Sequence, residues 1–175
     1  CIRDRYLLKG CVPGLHTQED LLRAVSEYQN AYSNGPKRSK LFSGVQKGLK
    51  TVTDLCPELK LAVVTNKSTR LAKEAMAEFL KDIHFADIRG PELVEARKPD
   101  ARHALGVLEA LQVSPREALI LGDDPVDFEL AKNAGCAFLG AGWGYGKLAA
   151  IPEAAPFICK DFKEFVERFL YLQKN

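Results

Sequence analysis

Ala118-Leu119-Ile120-Leu121-Gly122-Asp123-Asp124-Pro125-Val126-Asp127, closing on Ala131-Lys132-Asn133-Ala134-Gly135, is the stretch whose reading decides the fold. Residues 118–121 form an apolar run of strand length that ends in a glycine turn. Residues 125–134 read as a helix, with proline at its first position and Gly135 at the C′ position. A strand that turns directly into a helix belongs to a parallel α/β sheet, and such sheets bind ligands at the carboxyl ends of their strands. Two acids there, Asp123 and Asp127, suit a hard divalent cation such as Mg²⁺. The same residues also have a purely structural reading, in which Asp124 caps the helix and Asp127 complements its dipole. On this stretch alone both readings stand.

Outward from it, helices and short apolar runs alternate. Residues 17–32 read as one helix, with Thr17 and Asp20 as a capping pair and Leu21, Leu22, Val25 and Tyr28 on one face. Residues 33–40 (Ser-Asn-Gly-Pro-Lys-Arg-Ser-Lys) are a linker rich in turn formers and charge. Beyond it come a helix at 45–55 (Val45, Leu49, Val52 and Leu55 on one face), a strand at 61–65 and a helix at 68–80. A short strand within 83–88, a helix at 100–111, strands at 136–139 and 157–159 and a closing helix at 161–170 complete the pattern. In that last helix Phe162, Phe165, Val166, Phe169 and Leu170 read as core. The alternation predicts an α/β fold: a Rossmann-like parallel sheet with helices on both faces, joined by right-handed crossovers. Residues 1–40 are expected to be a helical appendage and residues 41–175 the α/β core.

Composition narrows the classes. The 175 residues are 46% hydrophobic and 27% charged, as in one compact domain with a small addition. A net charge of +2 is too small to indicate nucleic acid or an anionic membrane surface as partner. No apolar run approaches the roughly 18 residues that span a bilayer. Cys1, Cys11, Cys56, Cys136 and Cys159 form no CxxC pair, which fits free thiols in a reducing cytoplasm. His16, His84 and His103 lack metal-ligand spacing. Residues 140–146, Gly-Ala-Gly-Trp-Gly-Tyr-Gly, miss the register of the dinucleotide fingerprint and read as a flexible loop shaping the mouth of a site, or as a structural turn.

Three features at strand ends or loops carry chemistry. Thr65-Asn66 follows an apolar strand, where a hydroxyl and backbone amides can bind a phosphate oxygen. Lys98-Pro99 supplies a cation able to neutralise a phosphate and an attacking carboxylate. Gly122-Asp123 with Asp127 is the third. In this order and spacing they resemble the haloacid dehalogenase-like hydrolases, in particular the phosphoglycolate phosphatase-like branch. Residues 61–67 (Leu-Ala-Val-Val-Thr-Asn-Lys) resemble the second motif of that family, Lys98-Pro99-Asp100 the third, and residues 122–127 the fourth. Phe42-Ser43-Gly44-Val45 resembles the start of the family's core helix, and residues 142–146 its glycine-aromatic loop. The resemblance implies a Mg²⁺-dependent phosphatase acting on a small phosphorylated metabolite such as phosphoglycolate, through an aspartyl-phosphate. It implies that Thr65 bonds the phosphoryl group, Asn66 supports the loop and Lys98 offsets charge. Asp123 would ligate Mg²⁺, with Asp127 directly or through water. Two other classes share the scaffold: a non-catalytic phosphate- or metabolite-binding module, and a haloacid dehalogenase, in which serine usually replaces the acid kept here as Asp123.

Two departures bear on these expectations. Ala101 replaces the second proline of the common third motif, which is expected to alter the start of the following helix. No Asp-x-Asp-Gly-Thr occurs in the 175 residues, whereas in the family that first motif carries the nucleophile and the acid/base aspartate. Residues 1–5 lack an initiating methionine and match the translation of a transposase-type sequencing adapter, so native sequence is expected upstream of them. The first strand of the family lies between the strands of the second and fourth motifs. Without it, strands 61–64 and 118–121 are expected to border a central gap, and the 175 residues to be poorly stable and without turnover.

Overall fold

The computed structural model describes residues 17–34, 39–93 and 96–173. Helix α1 (Gln18–Asn34) begins at the expected capping pair: the Thr17 hydroxyl donates to Asp20 Oδ2 at 2.7 Å and Asp20 N–H donates to Thr17 Oγ1 at 3.0 Å. It runs two residues into the expected linker, of which residues 35–38 lie outside the described residues. Leu21 and Val25 are buried with Ala24 and Tyr28 beside them, in a cluster separate from those of the α/β part.

Then follow α2 (Val45–Leu55), β1 (Ala62–Val64), α3 (Thr69–Phe79), β2 (Asp87–Arg89), α4 (Ala101–Leu111), β3 (Leu119–Gly122), α5 (Pro125–Ala134), β4 (Ala137–Ala141), β5 (Ile158–Cys159) and α6 (Phe162–Leu172). Caps set the helix starts. Ser68, Asp100 and Asp161 accept backbone N–H groups from Leu71, Arg102 and Glu164 at the heads of α3, α4 and α6. Asp100 therefore starts α4 in the absence of the second proline. Gly135 ends α5 with φ 72°.

Every strand pairing is parallel, and the fold is α/β as expected, with helices on both faces. Side chains alternate across β3: Leu119 and Leu121 pack with Val52 of α2 and the phenylalanines of α6, whereas Ile120 packs with α4 and α5. Phe162, Phe165 and Phe169 are buried, with Val166 and Leu170 packed beside them. The sheet is split. β1 pairs with β2, β3 with β4 and β4 with β5; among the described residues no ladder joins β1 to β3. Val64 of β1 and Ile120 of β3 pack against the same buried residues of α4 and α5, Ala104, Leu130 and Ala134.

The structure sharpens one expectation and corrects another. Strand β2 lies at 87–89, at the end of the expected segment, because Ile83 is buried in a turn, its N–H donating to Leu80 carbonyl oxygen. Leu55 ends its helix 60% exposed, and Cys56 and Leu59 fill the core position instead. Of the thiols, Cys159 is buried but Cys56 and Cys136 are only half-buried; all three are free, and Cys1 and Cys11 lie outside the described residues.

Candidate active site

The carboxyl ends of β1 and β3 open into a polar cleft of about 460 Å³, lined by Thr65, Asn66, Lys98, Asp123, Asp127 and Tyr145 among others. All five residues singled out from sequence therefore meet in one place, from three separate loops. A larger groove of about 690 Å³ near the amino end of β4, between Phe128 and Tyr171, is almost wholly apolar and holds none of them.

Thr65 follows β1. Its backbone N–H donates to Arg89 carbonyl oxygen at 3.1 Å, extending the β1–β2 ladder, and its hydroxyl oxygen accepts Lys67 N–H at 3.1 Å. The hydroxyl proton stays available to an acceptor in the cleft. Asn66 clasps the backbone of Lys98 from both sides: Oδ1 accepts Lys98 N–H at 2.9 Å and Nδ2 donates to Lys98 carbonyl oxygen at 3.3 Å. Asn133 of α5 holds the same turn by donating to Pro99 carbonyl oxygen at 2.9 Å. Lys98 Nζ then reaches Asp127 Oδ1 at 2.6 Å, a pair shielded from solvent on both sides.

Asp127 works locally as well. Its Oδ2 accepts Asp123 N–H at 3.2 Å and Asp124 N–H at 3.1 Å, while Asp124 Oδ1 accepts Val126 N–H, closing a capping box at the head of α5. The structural reading of this stretch thus holds for Asp124 and Asp127. Both Asp127 oxygens are committed, and direct metal ligation would have to share Oδ1 with Lys98. Asp123 is placed differently. Its Oδ2 accepts Gly146 N–H at 2.8 Å, and its Oδ1 has no hydrogen-bond partner among the described residues.

The glycine-aromatic loop, expected to shape the mouth of a site or to be a structural turn, lines the cleft through Tyr145 and Gly146; its close packing on Asp123 is what the sequence did not show. The loop is pinned rather than flexible. A Cβ at Gly144 would collide with the Asp123 side chain, and one at Gly146 with Asp123 carbonyl oxygen, so only glycine permits this approach. Glu92 was also not foreseen: its Oε1 accepts Thr69 N–H at the head of α3, close after Thr65-Asn66. Burial pushes the Glu92 carboxyl up, but hydrogen bonds from its own backbone and from Thr69 outweigh it and hold the group below the usual carboxylate range. His103 of α4 is fully buried against Arg89 carbonyl oxygen at 3.3 Å, and burial pushes its imidazole pKa down.

Among the described residues no group of three or more His, Cys, Asp or Glu side chains is arranged to hold a metal ion. The donors fit Mg²⁺ nonetheless, since that ion takes one or two carboxylates and completes its shell with water and substrate oxygens. Asp123 Oδ1 is such a donor, held in place from behind. Among the described residues no helix is long and apolar enough to cross a membrane.

The sequence model of the haloacid dehalogenase-like hydrolases matches residues 5–141. The chain is 31% identical over 151 residues to the phosphoglycolate phosphatase of Haemophilus influenzae, covering 85% of this chain and 66% of that protein. It is 28% identical over 147 residues to that of Chromobacterium violaceum, covering 74% of this chain and 65% of that protein. The chain therefore spans about two thirds of the length of these curated relatives. A crystal structure described as a predicted phosphoglycolate phosphatase from Haemophilus somnus shares the fold with a TM-score of 0.77 at 24% identity, over 95% of this chain and 73% of that one.

Proposed function

The chain belongs to the haloacid dehalogenase-like hydrolase family, and from that premise we propose that its cleft is the phosphoryl site of a Mg²⁺-dependent phosphatase acting on a small phosphorylated metabolite, phosphoglycolate or a close analogue. The observation that carries this reading is the convergence of Thr65, Lys98 and Asp123, from three loops, on one polar cleft.

The residues divide the work. The Thr65 hydroxyl donates to a phosphoryl oxygen, having its own oxygen already engaged by Lys67 N–H. Lys98 keeps donors for the phosphate beyond the one it gives Asp127, and its positive charge offsets the phosphate's. Asn66 positions Lys98 by its two backbone bonds. Asp127 positions Lys98 and the amides of Asp123 and Asp124, and would reach the metal only through water. Asp123 Oδ1 would hold Mg²⁺, which would supply positive charge against the phosphate oxygens. The attacking aspartate belongs to a segment outside these 175 residues, which contain no Asp-x-Asp-Gly-Thr. In this reading α1 belongs to a unit separate from the α/β core, the remainder of which before residue 17 lies outside the described residues, and the free thiols support a cytoplasmic setting.

Calorimetric titration of the 175-residue chain with inorganic phosphate in the presence of Mg²⁺ tests the proposal. Saturable binding is expected, lost in Lys98→Ala and weakened in Asp123→Asn. A wild-type chain that takes up no phosphate overturns it. Hydrolysis of p-nitrophenyl phosphate by the same chain is expected to be absent; Mg²⁺-dependent turnover overturns the placement of the nucleophile.

A further inference from the structure

Tyr145 stands apart from every other residue lining the cleft. It is 91% exposed, more than any other large hydrophobic side chain described, with Tyr171 next at 67%. Yet the backbone on either side of it is held tightly. Trp143 anchors the loop inward, its ring 5.4 Å from that of Phe162 in the main core cluster. Gly144 N–H donates to Ala141 carbonyl oxygen at 3.0 Å, and Gly146 N–H donates to Asp123 Oδ2 at 2.8 Å. The loop therefore places one aromatic ring at the mouth of the cleft without burying it. That ring has a single aromatic neighbour, Phe42, with centroids 5.2 Å apart at 52°, and its hydroxyl has no hydrogen-bond partner among the described residues.

We infer that Tyr145 is a substrate-contacting, specificity-determining residue whose ring covers the carbon skeleton of a phosphomonoester where it emerges from the phosphoryl site. The inference rests on the reading of the cleft as that site. A phosphate held between Thr65 and Lys98 directs its ester group outward, and Tyr145 is, among the described residues, the one aromatic side chain lining the cleft. The other side chains there are polar or ionic, apart from Val126, so the ring offers a carbon face that hydroxyls and carboxylates do not. A pinned backbone means that contact orders little beyond two χ angles, which keeps the entropic cost of binding low. Phe42 supports the ring from behind, from the segment that leads into α2. On a small phosphomonoester such as phosphoglycolate the ring packs on the methylene carbon, and the gain rises with the carbon surface the organic group presents.

The test titrates the 175-residue chain, with Mg²⁺ present, with inorganic phosphate, methylphosphonate and phenylphosphonate, whose P–C bonds resist hydrolysis. The emission of Trp143, the one tryptophan of the chain, reports binding from within the same loop. Wild type is expected to bind phenylphosphonate roughly 3- to 10-fold more tightly than methylphosphonate, the range of one aromatic contact. Tyr145→Ala is expected to erase that preference while changing phosphate affinity less than about twofold, and Tyr145→Phe to retain it. Unchanged Trp143 emission in the free variants shows the loop intact. Equal wild-type affinities for the two phosphonates overturn the inference, as does a Tyr145→Ala loss that falls equally on all three ligands. If wild type binds no phosphate at all, the reading of the cleft fails and takes this inference with it.

Discussion

Strand β4, paired on both edges, buries three of its five residues, whereas β1 and β3, each paired on one edge, bury none. An internal parallel strand is normally covered by helices on both faces and by ladders on both sides. Here the two strands that carry the cleft lack the second condition, and the two halves of the sheet are joined by side chains instead. Asn66 reaches from the β1 half to Lys98, Lys98 reaches Asp127 in the β3 half, and Asn133 fastens the turn between them. A ladder spreads cohesion over many equivalent bonds, while a clasp concentrates it in a few groups that also do the chemistry. Single substitutions at the clasp should therefore have large effects.

The largest is expected at the shielded ion pair. Asp127→Ala leaves Lys98 without its partner and the Asp123 and Asp124 amides without an acceptor, at about 3 kcal/mol. Urea unfolding measures it, and a loss below about 1 kcal/mol would show that the halves are held together elsewhere. Gly146→Ala comes next: the new methyl collides with Asp123 carbonyl oxygen, costing about 2 kcal/mol. Because the strain falls on Asp123, Mg²⁺ affinity should fall as well, read by Trp143 emission. Asn66→Ala removes the two bonds to the Lys98 backbone and should lower stability by about 1.5 kcal/mol. It should also weaken phosphate binding, whereas a stability loss with unchanged phosphate affinity would separate the clasp from the site.

The smallest effect is one of pH. His103 ties α4 to β2, and its folded pKa lies below the ordinary value of 6.5 because burial disfavours the cation. The unfolded chain therefore binds the proton more readily. Stability should be full above 6.5 and decline as pH falls below it, by less than about 1.4 kcal/mol per unit, until the lowered folded value is passed. Glu92 acts in the same sense at more acid pH, since its folded pKa is depressed below 4.5. Thermal unfolding of His103→Gln between pH 7 and 5 should show a flatter profile than wild type; identical profiles would remove His103 from the junction.

What the sequence disclosed follows from the range of the interactions involved. Asp124 and Asp127 were legible as a cap because a capping box closes within a few residues, and Asp100 starts α4 by the same local bond. Thr65-Asn66 and Asp123 were legible because each follows an apolar run of strand length, whereas Lys98 in its loop and Asp127 in the first turn of α5 were legible only through the order and spacing of the motifs. Which part of 83–88 forms the strand was not legible, because periodicity does not separate the buried turn at Ile83 from a short strand, and only packing shows which backbone groups find partners. Leu55 went wrong for a related reason: the helical period put it on the buried face, but the chain turns away at Cys56.

The sequence by itself determined the order of strands and helices, the caps that start the helices and the residue types that gather at the strand ends, since these depend on neighbours along the chain. Only the tertiary structure decided that Lys98 meets Asp127 across 29 residues, that a glycine loop 23 residues further on holds Asp123, and that one tyrosine is left standing at the mouth. Those contacts are set by how sheet edges and helices pack. No residue in them carries a local preference for a partner so far away.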